Sequence, residues 1–116
     1  MIKDMIFEDF QLAVEDAVSQ KGRNLLDTTS ELTRCAARLN RSIAYAATKS
    51  GCIELKSKQR GISGRLCAKC RFSMEKELGD LLFNAAAISS YFNISMYDVM
   101  LAERRYMELL GDYMHF

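Results

Sequence analysis

The sequence predicts an all-α fold, a bundle of four or five helices. Three observations carry that expectation. The 116 residues contain no proline, so nothing in the chain is barred from a helix interior. Apolar residues recur near the 3.6-residue rhythm over several long stretches, and no stretch alternates convincingly with period two. Gly22, Gly51 and Gly111 fall at the ends of the periodic stretches, where helices commonly stop.

The first element spans about residues 2 to 20. Ile2, Met5, Phe10, Ala13, Val14, Ala17 and Val18 keep the rhythm, with Asp4, Glu8, Asp9, Glu15 and Asp16 mostly between them, and Lys21-Gly22 ends it. A second helix is expected over about residues 28 to 49. Leu32, Cys35, Ala36, Leu39, Ile43 and Ala46 or Ala47 share one face, Thr28 with Glu31 reads as a capping box, and Ser50-Gly51 closes it. The third begins no later than Ser73, a candidate N-cap with Glu75 in the first turn, and can extend back through "RLCAKC". It runs on toward Tyr91. The fourth starts at Ser95, which forms a Ser-x-x-Asp box with Asp98, and ends near Leu110-Gly111.

Composition narrows the function classes. An apolar share of 49% and a charged share of 27% suit a globular domain and argue against wholesale disorder. The formal net charge of +1 gives no global attraction to nucleic acid or anionic lipid, so neither is an expected partner. No window of eighteen residues is uninterruptedly apolar, and "MIKDMIFEDF" carries acids where a signal peptide would be apolar. The expectation is a cytoplasmic chain of a single domain, residues 1 to 116, with no membrane segment. Its nearly all-round apolar stretch from residue 78 to 92 exceeds what one copy can cover, which points to a homodimer or homotetramer.

Between the second and third helices lies "GCIELKSKQRGISGRLCAKCR". Its glycines mark a flexible loop at about residues 50 to 66. From Lys56 to Arg71 it holds six cations and no acid. Such a run reads either as a solvated loop or as a phosphate clamp, with Lys56, Lys58 and Arg60 the candidate contacts.

The third helix poses the main question, because Glu77, Asp80 and Asn84 interrupt an otherwise apolar run. At i, i+3 and i+7 they project from one face. One reading is the solvated edge of an amphipathic helix. The other is a hard-cation site, since paired carboxylates suit the octahedral oxygen shell of Mg²⁺.

"KELGDLLFNAAAISSYFNISMYDVM" resembles the second motif of the MazG-like all-α nucleoside triphosphate pyrophosphohydrolases: an ExxD pair in "ELGDLLF", an apolar helix, then a short "NIS" turn into another helix. Upstream, "LLDTTSELTRCAARLNR" looks like the family's first acidic motif, and Arg105-Tyr106 like the basic-aromatic pair of its last helix. The resemblance spans most of residues 10 to 110, and its distinctive part runs from Glu77 to Ser95. It implies an oligomeric helical bundle binding a nucleoside triphosphate through Mg²⁺, with Mn²⁺ as a substitute, and releasing nucleoside monophosphate and pyrophosphate. Carried over residue by residue, Glu31, Glu77 and Asp80 are the metal ligands and catalytic acids, and Asn84 and Arg105 join the substrate contacts. The chain departs from the pattern at Arg34, which stands where a second glutamate is expected and adds a fixed cation. Three explanations stay open: Asp27 with Glu31 serves instead, the site runs with fewer ligands, or the chemistry is lost. In the last case the chain is a catalytically silent helical module for subunit or partner binding.

Two further features are weighed. "CAKC" places Cys67 and Cys70 at knuckle spacing, with Cys52 in the same loop and Cys35 or His115 as a further ligand. A single CxxC reads first as packed or exposed thiols rather than zinc; a zinc reading requires Cys52, Cys67 and Cys70 to converge. Met96, Tyr97, Met100, Tyr106, Met107 and Tyr113 recur along the last helix as core, subunit interface or base-stacking wall. Nothing selects a particular base.

Overall fold

The computed structural model describes residues 2–56 and 61–110, the side chains of residues 2–4 excepted. Lys58, Arg60, His115 and Tyr113, singled out above, lie outside the described residues. Four helices, α1 (Ile2–Lys21), α2 (Leu25–Ala47), α3 (Ala68–Tyr91) and α4 (Met96–Leu110), make up most of them, in agreement with a helical class. Two short strands, β1 (Ile53–Leu55) and β2 (Ile62–Gly64), correct the expectation that the chain has none. They pair antiparallel with Ile53 opposite Gly64 and Leu55 opposite Ile62, and Lys56 N–H donates to Gly61 O at 2.6 Å. The segment between α2 and α3, expected as a loop, is therefore a small hairpin. No helix among the described residues is long and apolar enough to cross a membrane.

Helix ends follow local chemistry. Asn24 and Asp27 cap α2 reciprocally: Asp27 N–H donates to Asn24 Oδ1 at 2.9 Å and Asn24 N–H to Asp27 Oδ2 at 3.3 Å, so two orphan donors are satisfied. This displaces the expected Thr28–Glu31 box. Thr28 sits one turn inside the helix, fully buried, and its hydroxyl donates to Asn24 O at 3.1 Å. Ser73 likewise is no N-cap, because α3 starts at Ala68. Ser95 does cap α4, accepting from Asp98 N–H at 3.3 Å. α1 and α3 close with the same two bonds. Arg23 N–H reaches Val18 O and Gly22 N–H reaches Ser19 O, while Ile94 N–H reaches Ser89 O and Asn93 N–H reaches Ser90 O. Gly22 at φ 64° and Asn93 at φ 55° take the left-handed position that this closure needs.

The chain divides into two compact units, residues 1–28 with 85–116 and residues 29–84. In the first, α1 packs against α4, and Phe7 and Tyr97 set their rings 6.5 Å apart. Gln11 ties this unit together: its amide donates to Ile94 O at 2.7 Å and Ser90 Oγ at 3.3 Å, and its oxygen accepts from Met96 N–H at 3.0 Å. Val14, Val18, Ala86 and Ala87 are buried here, and Tyr91 donates its hydroxyl to Arg23 O at 3.0 Å.

The second unit holds the hairpin and the facing parts of α2 and α3. Ser42 meets Ser73 with their hydroxyls 2.9 Å apart, Arg38 meets Glu77, and Cys35 meets Asn84. These pairings run in opposite senses along the two helices, so α2 and α3 are antiparallel within the unit. Below them Ala46, Ile53 and Cys70 form a small apolar core, with Ala47, Cys52, Leu66 and Met74 packed against it.

Candidate functional site

The polar seam of the second unit gathers the three acids expected to hold a metal. Glu31 comes from α2, and Glu77 and Asp80 come from α3. The side chain among them is Arg38, which the sequence analysis did not single out. Its Nε donates to Glu77 Oε1 at 3.0 Å and its Nη2 to Glu31 Oε1 at 3.0 Å, while Asp80 Oδ2 stands 3.8 Å from the same Nη2. Arg34 instead turns outward. It is 61% exposed and, among the described residues, pairs with Glu31 alone, at 2.9 Å. Lys76 holds the other oxygen of Asp80.

A planar guanidinium offers several fixed donors and is never deprotonated. Arg38 thereby satisfies three carboxylates that would otherwise repel. Glu31 is held below its ordinary value of 4.5, by the Arg38 hydrogen bond first and the Arg34 bond second. Arg38 itself is pushed up by its bonds to Glu77 and Glu31, and Lys76 is pushed up by Asp80. Burial drives the Cys35 thiol up, against the pull of Arg38. Each of the three acids therefore has one oxygen turned to Arg38.

Asn84 closes the inner end of the seam. It is 1% exposed, donating to Asp80 O at 2.8 Å and to Cys35 Sγ at 3.4 Å. The expected stripe of Glu77, Asp80 and Asn84 is therefore present, and its face turns toward Cys35 and Arg38 of α2. Of the expected substrate contacts, Lys56 is exposed and stands 3.7 Å from Glu54, while Arg105 is exposed on α4 in the first unit.

Beside Glu77 and Arg38 opens a cavity of about 560 Å³, whose wall includes Arg41, Tyr45, Lys49 and Lys69. Lys69 Nζ sits 5.6 Å from the centre of the Tyr45 ring, within cation–π range. Four cations with one acid and one aromatic ring suit an anionic ligand bearing a flat group.

Elsewhere in the unit, Cys52, Cys67 and Cys70 bring their sulfurs within 4.8 Å of one another. All four cysteines are free thiols, and Cys67 is exposed. Its thiol is held down to about 6, chiefly by the backbone N–H of Cys70 and then by Ser50.

Comparison of the chain with family models, with curated proteins and with solved structures finds no match.

The signals for the overlooked groups were present in the sequence. Arg38 lies seven residues after Glu31, on the same helix face. Arg41 and Tyr45 follow it at spacings of three and four along one side of α2, and Lys49 comes two residues past the end of that helix.

Proposed function

We propose that this chain is a catalytically silent MazG-like helical module that acts by subunit or partner binding. The observation that carries this reading is Arg38, whose guanidinium engages the oxygens of Glu31, Glu77 and Asp80. A fixed cation among the carboxylates repels a divalent ion and engages oxygen lone pairs that the ion would use. The acidic stripe then serves as the polar joint between α2 and α3.

The binding role rests on α4. Within one copy none of its described side chains is buried, yet Val99, Met100, Tyr106, Met107 and Leu110 lie exposed at helical spacing. A second copy of the chain is the occupant that suits this stripe, since a symmetric pair would bury both stripes at once.

A second reading is favoured by the cationic cavity: a Mg²⁺-dependent nucleoside triphosphate pyrophosphohydrolase. The phosphates would draw on Arg38, Arg41, Lys49 and Lys69, with Tyr45 beside the base, and Glu31, Glu77 and Asp80 would hold the ion once Arg38 turned to the phosphates.

One assay separates the two. The protein is incubated with Mg²⁺ and each common or modified nucleoside triphosphate, and monophosphate and pyrophosphate are measured while light scattering records particle mass. The silent module predicts no turnover above buffer and a particle heavier than one chain. Turnover abolished by Asp80→Asn would establish the hydrolase, and a monomeric particle would remove the subunit-binding role.

A further inference from the structure

Cys52, Cys67 and Cys70 come from two places in the chain and meet at one point. Cys52 immediately precedes β1, whereas Cys67 and Cys70 flank the first residues of α3. Backbone geometry brings the two segments together. Gly64 of β2 passes so close to the Cys52 carbonyl that a Cβ there would stand 2.7 Å from it, so the hairpin pins Cys52 against its partner strand. Gly64 also takes φ 89°, which L side chains rarely adopt. At the other side, Arg71 N–H donates to Cys67 O at 2.9 Å, opening α3 so that Cys67 and Cys70 fall on the same side of its first turn.

We propose that these three thiols bind one zinc ion, with a solvent molecule as the fourth ligand. Zinc takes thiolates at about 2.3 Å in tetrahedral geometry, which sets neighbouring sulfurs about 3.8 Å apart. Sulfurs already within 4.8 Å need to close by about 1 Å or less to reach that spacing. Simple packing accounts for Cys70, which is 3% exposed within the apolar core. It does not account for Cys67, an exposed thiol aimed at the same point. Binding releases the thiol protons and leaves a complex of net charge −1, in a stretch of chain that also carries the exposed cations Arg65, Lys69 and Arg71. The ion ties the hairpin to the start of α3, beside the small core of Ala46, Ile53 and Cys70 and the partly buried residues packed on it. This inference is independent of whether the acidic seam is catalytic.

The test uses the full chain purified under reducing conditions without added metal. Elemental analysis should give about one zinc per chain, lost in Cys52→Ser and Cys67→Ser and kept in Cys35→Ser, since Cys35 lies outside the cluster. After chelation, adding zinc to about a hundred times its Kd should raise Tm by about 10 °C. Because the serine variants can fail to fold, cobalt titration of the stripped wild-type chain supplies a second measurement. An intense thiolate-to-metal absorption with tetrahedral visible bands, displaced by one equivalent of zinc, is expected. Absence of both bound zinc and the cobalt bands would overturn the proposal. So would iron with acid-labile sulfide in place of zinc, or full zinc retention by Cys52→Ser.

Discussion

Arg38 Nε donates to Glu77 Oε1 across 3.0 Å, joining the middle of α2 to the middle of α3. Glu77 is 16% exposed and Arg38 31%, so the pair is less open to solvent screening than the Arg34–Glu31 pair, at 61% and 29%. Removing the cation leaves the three carboxylates facing one another, with Arg34 on Glu31 and Lys76 on Asp80 as the remaining cations. Arg38→Met should therefore lower Tm by several times the change caused by Arg34→Met, whose exposed pairing with Glu31 alone is worth about 1 kcal/mol or less. Thermal denaturation of both variants checks this, and equal shifts would mean that Arg38 does not hold the seam.

A pH dependence follows from Glu31. Its folded value is depressed below 4.5, first by Arg38, so folding favours the ionised form. The stabilisation is present above the unfolded value and is lost as pH falls through the folded one. Unfolding free energies of wild type and Glu31→Gln should differ most at pH values well above the unfolded carboxylate value and converge as pH falls through the depressed folded one. A gap that widens on acidification would contradict the assigned pairing.

Asn84 offers a test of the seam's inner end. Replacing it with Leu keeps the branching at Cγ and removes the amide that bonds Asp80 O and Cys35 Sγ. The expected cost is about 1–3 kcal/mol, read as a lower urea midpoint with an unchanged slope.

The sequence made the helices legible and their partners much less so. α4 was readable because Ser95 and Asp98 are a start signal that nothing nearby rivals. The start of α2 was not, because Asn24-Leu25-Leu26-Asp27 and Thr28–Glu31 offer the same chemistry four residues apart, and the packing of Thr28 decides between them. Strands of three residues are too short for alternation to register, so β1 and β2 were passed over. The acids of the seam were visible as spacing on single helices. That Arg38 rather than Arg34 reaches all three depends on which face of α2 lies against α3, and helical spacing alone does not specify that. The cysteine cluster likewise depends on the close passage of Gly64 by Cys52.

If Arg38 is what bars a divalent ion, then removing it while supplying the missing acid should admit one. Arg34→Glu alone leaves the guanidinium in place and should gain no metal affinity. Arg34→Glu combined with Arg38→Ala sets four acids on the facing helices and should bind Mn²⁺ with Kd of about 1 mM or tighter, measured by calorimetry. Binding by the single variant would show that Arg38 is no barrier.

The most direct measurement is a Mn²⁺ titration of the wild-type chain followed by paramagnetic broadening of its NMR signals. With Arg38 bonded to Glu31 and Glu77 and near Asp80, these residues should remain sharp up to about 1 mM Mn²⁺, a concentration at which a weak oxygen-ligand site would fill. Saturable broadening centred on Glu31, Glu77 and Asp80, abolished by Asp80→Asn, would contradict the silent module and restore the metal-dependent reading.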